Sequence, residues 1–186
     1  MQQPQLQNAD LRYAWLSPAD LHSIGDIDRS EEVRVGYEMH DGSLRRIDVH
    51  WDIPPWRPDG EGDHTVPAKI AFCRGHMDRG AVAMGAYDGD CMAAIGVLLP
   101  RLHEGMAQLA FLHVSRTHRR AGLGAELLEA LLPVAREHGA TAVYVTSAPT
   151  ESAVGFYLRN GFQVADEPDP ELLALEPEDI HMVKRL

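Results

Sequence analysis

A mixed α and β fold in one domain is the class this sequence predicts, on three observations. Apolar residues fall at every second position through Val33, Val35, Tyr37 and Met39, which is strand spacing. Leu123, Leu127, Leu128, Leu131 and Ala135 fall at helix spacing. Hairpins come early in the chain and a strand–helix–strand unit late, with no internal repeat and no interdomain linker between them. The 186 residues suit a single domain spanning 1–186, and a chain of that length buries enough apolar surface to fold without staples.

Each element follows from local pattern. Leu11 to Leu16 alternates as a first strand. Ser17-Pro18-Ala19-Asp20 reads as a helix start, with Ser17 as N-cap and Pro18 in the first helical position. Val33–Met39 and Leu44–Trp51 flank a turn at His40-Asp41-Gly42-Ser43, giving a β-hairpin with Ile47, Val49 and Trp51 on one face. Residues 52–63 are a Pro/Gly-rich loop, and a helix is expected over His64 to Cys73. Val82–Tyr87 and Met92–Leu99 form a second hairpin around Asp88-Gly89-Asp90, and Ala107–Ser115 is a further apolar strand.

Gly122 to His138 is the clearest helix, closed by Gly139. Pro133 inside it is expected to kink the helix or end its regular part, having no N–H for the carbonyl of Glu129. Ala142–Thr146 then reads as a strand, Glu151–Asn160 as a short helix, Gly161–Val164 as a strand start and Ile180–Lys184 as a closing strand.

Composition narrows the function classes. Hydrophobic residues at 45% and charged residues at 24% exclude a disordered or fibrous chain. A net charge of −11 argues against a nucleic-acid partner. The two cysteines, Cys73 and Cys91, make no disulfide framework. Met1 to Gln5 lacks the basic start and apolar core of a signal peptide, and no stretch is long enough to span a bilayer. A cytoplasmic protein without a membrane partner is expected. Arg outnumbers Lys 15 to 2, which suggests a GC-rich, bacterial coding sequence. Split by segment, the charge is −7 over residues 1–100, +1 over 101–140 and −5 over 151–186. An acidic body can attract a cationic ligand while the middle tolerates an anionic one, against the blander reading that net charge simply keeps the protein soluble.

The non-acidic middle also carries the strongest motif. Arg119-Arg120-Ala121-Gly122-Leu123-Gly124-Ala125 lies between a strand and a helix N-terminus. Glycines there allow close backbone approach, and the first helical amides have no intrahelical acceptor. Together with the helix dipole and Arg116, Arg119 and Arg120 they suit a phosphate or pyrophosphate. Neither GxxxxGK[ST] nor GxGxxG is present, and a lone Gly-x-Gly at such a turn can equally be a tight connection.

In context this stretch resembles the acetyl-CoA-binding core of the GNAT superfamily of N-acetyltransferases. Arg119, Gly122 and Gly124 match its Gln/Arg-x-x-Gly-x-Gly/Ala motif, and Leu112-His113-Val114 matches the end of the strand ahead of it. Phe156-Tyr157-Leu158-Arg159-Asn160-Gly161-Phe162 matches its closing Phe-Tyr-x-x-x-Gly-Phe. The matches occur in order across residues 107–162.

The resemblance implies a twisted mixed central sheet with helices on both faces, in which acetyl-CoA, with no metal, enters between splayed parallel strands. Leu112 and Val114 would pair with the pantetheine arm. The amides of Arg119, Arg120, Ala121, Gly122, Leu123, Gly124 and Ala125 would hold the pyrophosphate. Ser152 stands where many relatives place a longer Asn. Tyr157 matches the tyrosine that protonates the departing thiolate, its bland reading being a packing residue beside Phe156. Many members pair through C-terminal strands, so a homodimer is compatible with the resemblance, although oligomeric state is not readable here.

The implied reaction moves the acetyl group to a primary amine, and the acidic flanks favour a cationic small molecule, antibiotic-like or a polyamine. A protein or peptide acceptor and a non-catalytic acyl-CoA-binding module are the alternatives. No general base is assigned. Gln108 and Ala110 occupy the positions where relatives carry one, and His113 is more simply a structural strand histidine. Residues 25–80 form the variable acceptor-side region. There Glu31, Glu32 and Tyr37 are candidates for the acceptor site, against a solvated turn for the glutamates and hairpin core for Tyr37. Trp51 and Trp56 carry the same ambiguity, and the loop around Trp56 is long enough to act as a lid. Cys73-Arg74-Gly75-His76 has metal-like spacing but no second ligand pair.

Overall fold

The computed structural model describes residues 11–186, so the reading of Met1 to Gln5 lies outside the described residues. Thirteen regular elements follow, besides two short 3-10 turns. β1 (Arg12–Trp15) leads through a 3-10 turn at Asp20–Asp26 to β2 (Glu31–His40) and β3 (Ser43–Ile53). α1 (Val66–Asp78), β4 (Val82–Asp88), β5 (Cys91–His103) and β6 (Met106–Val114) come next. α2 (Leu123–Glu137), β7 (Ala142–Ser147) and α3 (Glu151–Arg159) follow, and β8 (Gln163–Val164), α4 (Pro170–Leu175) and β9 (Ile180–Arg185) close the chain.

Seven strands form one sheet in the order β1-β4-β5-β6-β7-β9-β8, with β2 and β3 as a separate ribbon. Every neighbouring pair is antiparallel except β6 with β7. That parallel pairing lasts for three residues of β6, from Met106 opposite Ala142 to Gln108 opposite Tyr144. β6 then runs on to Val114 without β7, while β7 stays with β9 as far as Ser147. The two parallel strands therefore splay.

The cause lies one residue further along β6. Its register with β5 jumps from Leu98 opposite Leu109 to Val97 opposite Phe111, leaving Ala110 as an extra residue. A bulge bends and twists the strand that carries it. It also shifts the alternation, so Leu109 and Leu112 pack with the α2 core while Phe111 packs with the opposite one.

Two cores flank the sheet. On one face Leu123, Leu127, Leu128 and Leu131 of α2 pack against Ala94 and Leu98 of β5. On the other, Leu21 and Ile24 of the 3-10 turn and Cys73 of α1 pack against Ile95, Val97 and Phe111. The helix continues through Pro133 to Glu137.

Several local expectations need correction. Where an α-helix is expected, Asp20–Asp26 forms a 3-10 turn; the Ser17 amide and hydroxyl both donate to Asp20 Oδ2 and the serine never caps. α1 extends five residues past Cys73; Thr65 caps its start, accepting from the Ala68 amide. α4 has only six residues, and no apolar period announces it.

Asp169 caps α4 through the amides of Glu171 and Leu172. Its own amide donates to the Tyr144 hydroxyl (2.9 Å), which in turn is 2.8 Å from Nδ1 of buried His181. His181 Nε2 donates to the Glu176 carbonyl, so the segment before β9 hangs on a buried polar chain. Tyr144→Phe should lower stability by about 1–3 kcal/mol, the cost of leaving buried polar groups unpaired, measured by urea unfolding.

Candidate functional site

The splay leaves the β7-facing edge of β6 without a strand partner from Leu109 onward, and Leu112 and Val114 sit on that stretch. An extended polar ligand entering there would find backbone groups to pair with, as an added strand does. The strand ends in a short 3-10 turn at Arg116–His118, and the chain then enters α2.

The entry to α2 is shaped for an anion. Arg120 and Gly122 both have positive φ, 65° and 91°. A Cβ on Gly122 would meet nothing nearer than Glu126 at 3.7 Å, so backbone conformation and not space requires glycine there. The first helical bond runs from the Glu126 amide to the Gly122 carbonyl, and amides ahead of it point out of the helix end. Leu123 is buried. Gly124 is needed for packing, since a Cβ would come within 3.1 Å of the Phe156 ring and 3.5 Å of Val114. Ala121, Ala125 and exposed Arg120 complete the loop.

Arg119 is placed differently from expectation. Its Nη1 donates to Glu31 Oε2 (3.0 Å), its Nη2 to the Arg29 carbonyl (2.8 Å) and its Nε to the Val114 carbonyl (3.4 Å). The guanidinium is thus spent on tying the start of β2 to the end of β6, leaving the phosphate loop its backbone and Arg120. Glu31, in that ion pair, is not part of the acceptor cavity. Glu32 is exposed and pairs with Arg34, and it lies outside the cavity as well.

The β2–β3 ribbon is fastened beside the turn after β7. Gly36 bridges to Thr150, and the Tyr37 amide donates to the Pro149 carbonyl at 2.9 Å. A Cβ on Gly36 would lie 2.8 Å from the Trp51 ring, so only glycine lets β2 sit this close. Between the ribbon, Pro149 and the segment before β9 lies a cavity of about 340 Å³. Tyr37, Trp51, Glu38, Glu178 and Asp179 line it, and that size falls within the range of small-molecule pockets.

Tyr157 on α3 is buried at 7% exposure, with Phe156 and Phe162 edge-on at 5.1 and 5.2 Å. Burial and then the negative charge of Asp179 push its pKa up, which keeps it protonated. Asp179 is pushed up to about 6 by burial and by Glu176 and Glu178.

Other candidates fall elsewhere. Ser152 is exposed, 3.0 Å from the Thr150 hydroxyl, and Thr150 caps α3. Trp56 is buried against Phe111 (5.8 Å) and edge-on to His113 (4.8 Å), so it belongs to the core and not to a lid. His113 is pushed down to about 3 by burial and by Arg29, Lys69 and Arg119. Burial pushes the Cys73 thiol up to about 12. Among the described residues no group of three metal-ligating side chains is assembled, and no helix is long and apolar enough to cross a membrane. The sequence reading missed Asp179, whose only advance signal was a run of acidic residues before the last strand.

Comparison with known proteins agrees with this layout. A model of the acetyltransferase (GNAT) family matches residues 47–162. An uncharacterized N-acetyltransferase of Bacillus subtilis (strain 168), YjcF, is 32% identical over 83 residues, which are 45% of this chain. The match spans about half of that relative, 56% of its length.

Among solved structures, nourseothricin acetyltransferase superposes with TM-score 0.72 at 21% identity, covering 95% of this chain and 99% of that one. A putative streptothricin acetyltransferase from Bacillus anthracis str. Ames, in complex with acetyl coenzyme A, gives 0.70 at 16%, covering 95% and 98%. PaiA N-acetyltransferase from Thermoplasma acidophilum, in complex with coenzyme A, gives 0.60 at 16%, covering 95% and 99%. At these identities the likeness is one of fold.

Gly122→Val would force a β-branched residue into positive φ at a cost of roughly 1–2 kcal/mol. The expected outcome is a folded variant, by circular dichroism, whose acetyl-CoA binding in calorimetry is at least tenfold weaker.

Proposed function

The chain belongs to the acetyltransferase (GNAT) family, and from that premise we propose that it transfers the acetyl group of acetyl-CoA to a primary amine of a cationic small molecule. The observation that carries the acceptor assignment is the cavity, in which aromatic walls from Tyr37 and Trp51 meet the carboxylates of Glu38, Glu178 and Asp179. Aromatic faces and carboxylates together attract ammonium groups. The relatives in fold that carry names of antibiotic acetyltransferases support a small, polycationic acceptor of the streptothricin or polyamine kind.

The residues divide the work. The free edge of β6 at Leu112 and Val114 holds the pantetheine arm, and the loop from Arg119 to Ala125 holds the pyrophosphate through backbone amides. Ser152, at the start of α3, is a marginal donor contact. A backbone N–H of the Leu112 strand stabilises the oxyanion that forms when the amine attacks the thioester carbonyl. Tyr157 hydrogen-bonds the departing sulfur. A free thiol has a pKa near 8.5, below that of the buried phenol, so early transfer runs uphill. The proton therefore moves as the C–S bond breaks and charge gathers on a sulfur held in the same dry place.

Thiol release from acetyl-CoA, followed against streptothricin, aminoglycosides, polyamines, amino acids and short peptides, tests the assignment. Turnover with a cationic small molecule and silence with peptides is the expected pattern; preference for a peptide would replace it. Tyr157→Phe should lower kcat by about 100-fold or more with acetyl-CoA affinity unchanged by calorimetry. A fully active variant would refute the acid role.

A further inference from the structure

An acceptor ammonium must lose a proton before its nitrogen can attack, and few groups near the cavity are free to take one. Glu31 is held by Arg119, Glu32 by Arg34, Glu38 by Arg45 and Glu151 by Arg46. Glu126 accepts from the Tyr13 hydroxyl. His113 lies among three cations in a dry aromatic setting, which holds it neutral and makes it a weak base.

Asp179 differs from all of these. It lines the cavity, is half-buried, and its carboxylate has neither hydrogen bond nor ion pair among the described residues. Its negative charge reaches the Tyr157 phenol, adding to burial in raising that group's pKa. Its backbone is fixed, with its amide donating to the Glu176 carbonyl (3.2 Å) and the next residue, Ile180, paired with Ser147 at the end of β7. The His181 bond to the same Glu176 carbonyl holds the segment from its other side.

We propose that the Asp179 carboxylate takes the proton from the acceptor's ammonium and so serves as the general base of the transfer. The inference rests on the reading of a primary amine acceptor given above. The ammonium N–H bond breaks, its proton going to Asp179 and its electron pair to nitrogen. The nitrogen then forms the C–N bond to give the tetrahedral oxyanion, whose collapse breaks the C–S bond. The sulfur receives the Tyr157 proton, and the second nitrogen proton returns to the phenolate through water. Asp179 releases its proton to solvent, so one proton leaves per turnover.

The titratable groups bordering Asp179 are Glu176 and Glu178 on its own segment, Tyr157 from α3, and Tyr37 and Glu38 from β2. Ile47 and Trp51 of β3 and Pro149 after β7 do not titrate in this range. Burial and the two neighbouring glutamates lift Asp179 from 3.8 to about 6, close to the value that suits a base at neutral pH. Because the folded state then binds more protons than the unfolded one between 3.8 and about 6, stability falls as pH rises through that window. Asp179→Asn removes that penalty, so it should melt no lower than the parent at pH 7.

The test is kcat/KM against pH, from 5 to 9, for the parent and D179N with an amine from the panel, alongside melting temperature and acetyl-CoA affinity. The parent should show an acid limb near 6. D179N should lose the limb and fall about 100-fold or more at pH 7, with donor affinity and melting intact. D179N with kcat within twofold of the parent overturns the proposal. A raised KM with unchanged kcat and limb also overturns it, reducing Asp179 to cation recognition. Should D179N not fold, a parent profile without a limb near 6 refutes the assignment, and one with it supports it. A parent that acetylates no amine at any pH overturns both this inference and the reading beneath it.

Discussion

One extra residue, Ala110, sets the geometry on which the rest depends. By bulging β6 against β5 it turns the strand just where pairing with β7 ends at Gln108. Without that turn the parallel pair would continue, and the edge at Leu112 and Val114 would be consumed by β7. Unpaired strand edges are ordinarily a liability. Here the open edge leads into the turn before the N-terminus of α2. The cost is borne by dense packing on both faces of β5, whose residues from Met92 to Leu99 are buried without a break.

A second constraint couples the two substrate sides. The β2–β3 ribbon is not hydrogen-bonded into the main sheet, yet it is fastened at two points. Arg119 clamps its start to the donor loop through Glu31 and the Arg29 carbonyl. Gly36 and Tyr37 clamp its middle to Pro149 and Thr150. Its charged pair is only partly exposed, at 28% and 20%, and removing one partner would strand the other. A residue whose motif position suggests phosphate binding therefore ties the start of β2 to the end of β6 instead.

The contrast between what the sequence foretells and what it misses has a physical basis. β6, α2, β7 and α3 are legible because their apolar periods match the buried faces they end up with, and because Gly122 and Gly139 mark positive φ at both ends of α2. Residues 17–26 and 170–175 are not, since side-chain hydrogen bonds from Asp20 and Asp169, invisible to periodicity, decide their geometry. The donor loop could be placed for the same reason, its backbone requirements being local. The acceptor cavity could not. Tyr37 and Asp179 are 142 positions apart, and nothing local says that a ribbon will fold across the end of β9. Glu31 and Glu32 are candidates by their place in the variable region alone; in space both have arginine partners.

Net charge, read along the chain, points in the right direction for an incomplete reason. Charges separated by more than about 8 Å are largely screened at physiological ionic strength, so most of the −11 acts weakly on a bound ligand. What matters is which carboxylates face the cavity without a countercharge. Glu38 is neutralised locally by Arg45, and Glu178 stands exposed in water. Asp179 is left partly dry and unpaired, and its charge adds to burial in raising the Tyr157 pKa. Half-burial and the two neighbouring glutamates, and not the overall acidity of the chain, raise the proton affinity of that one carboxylate.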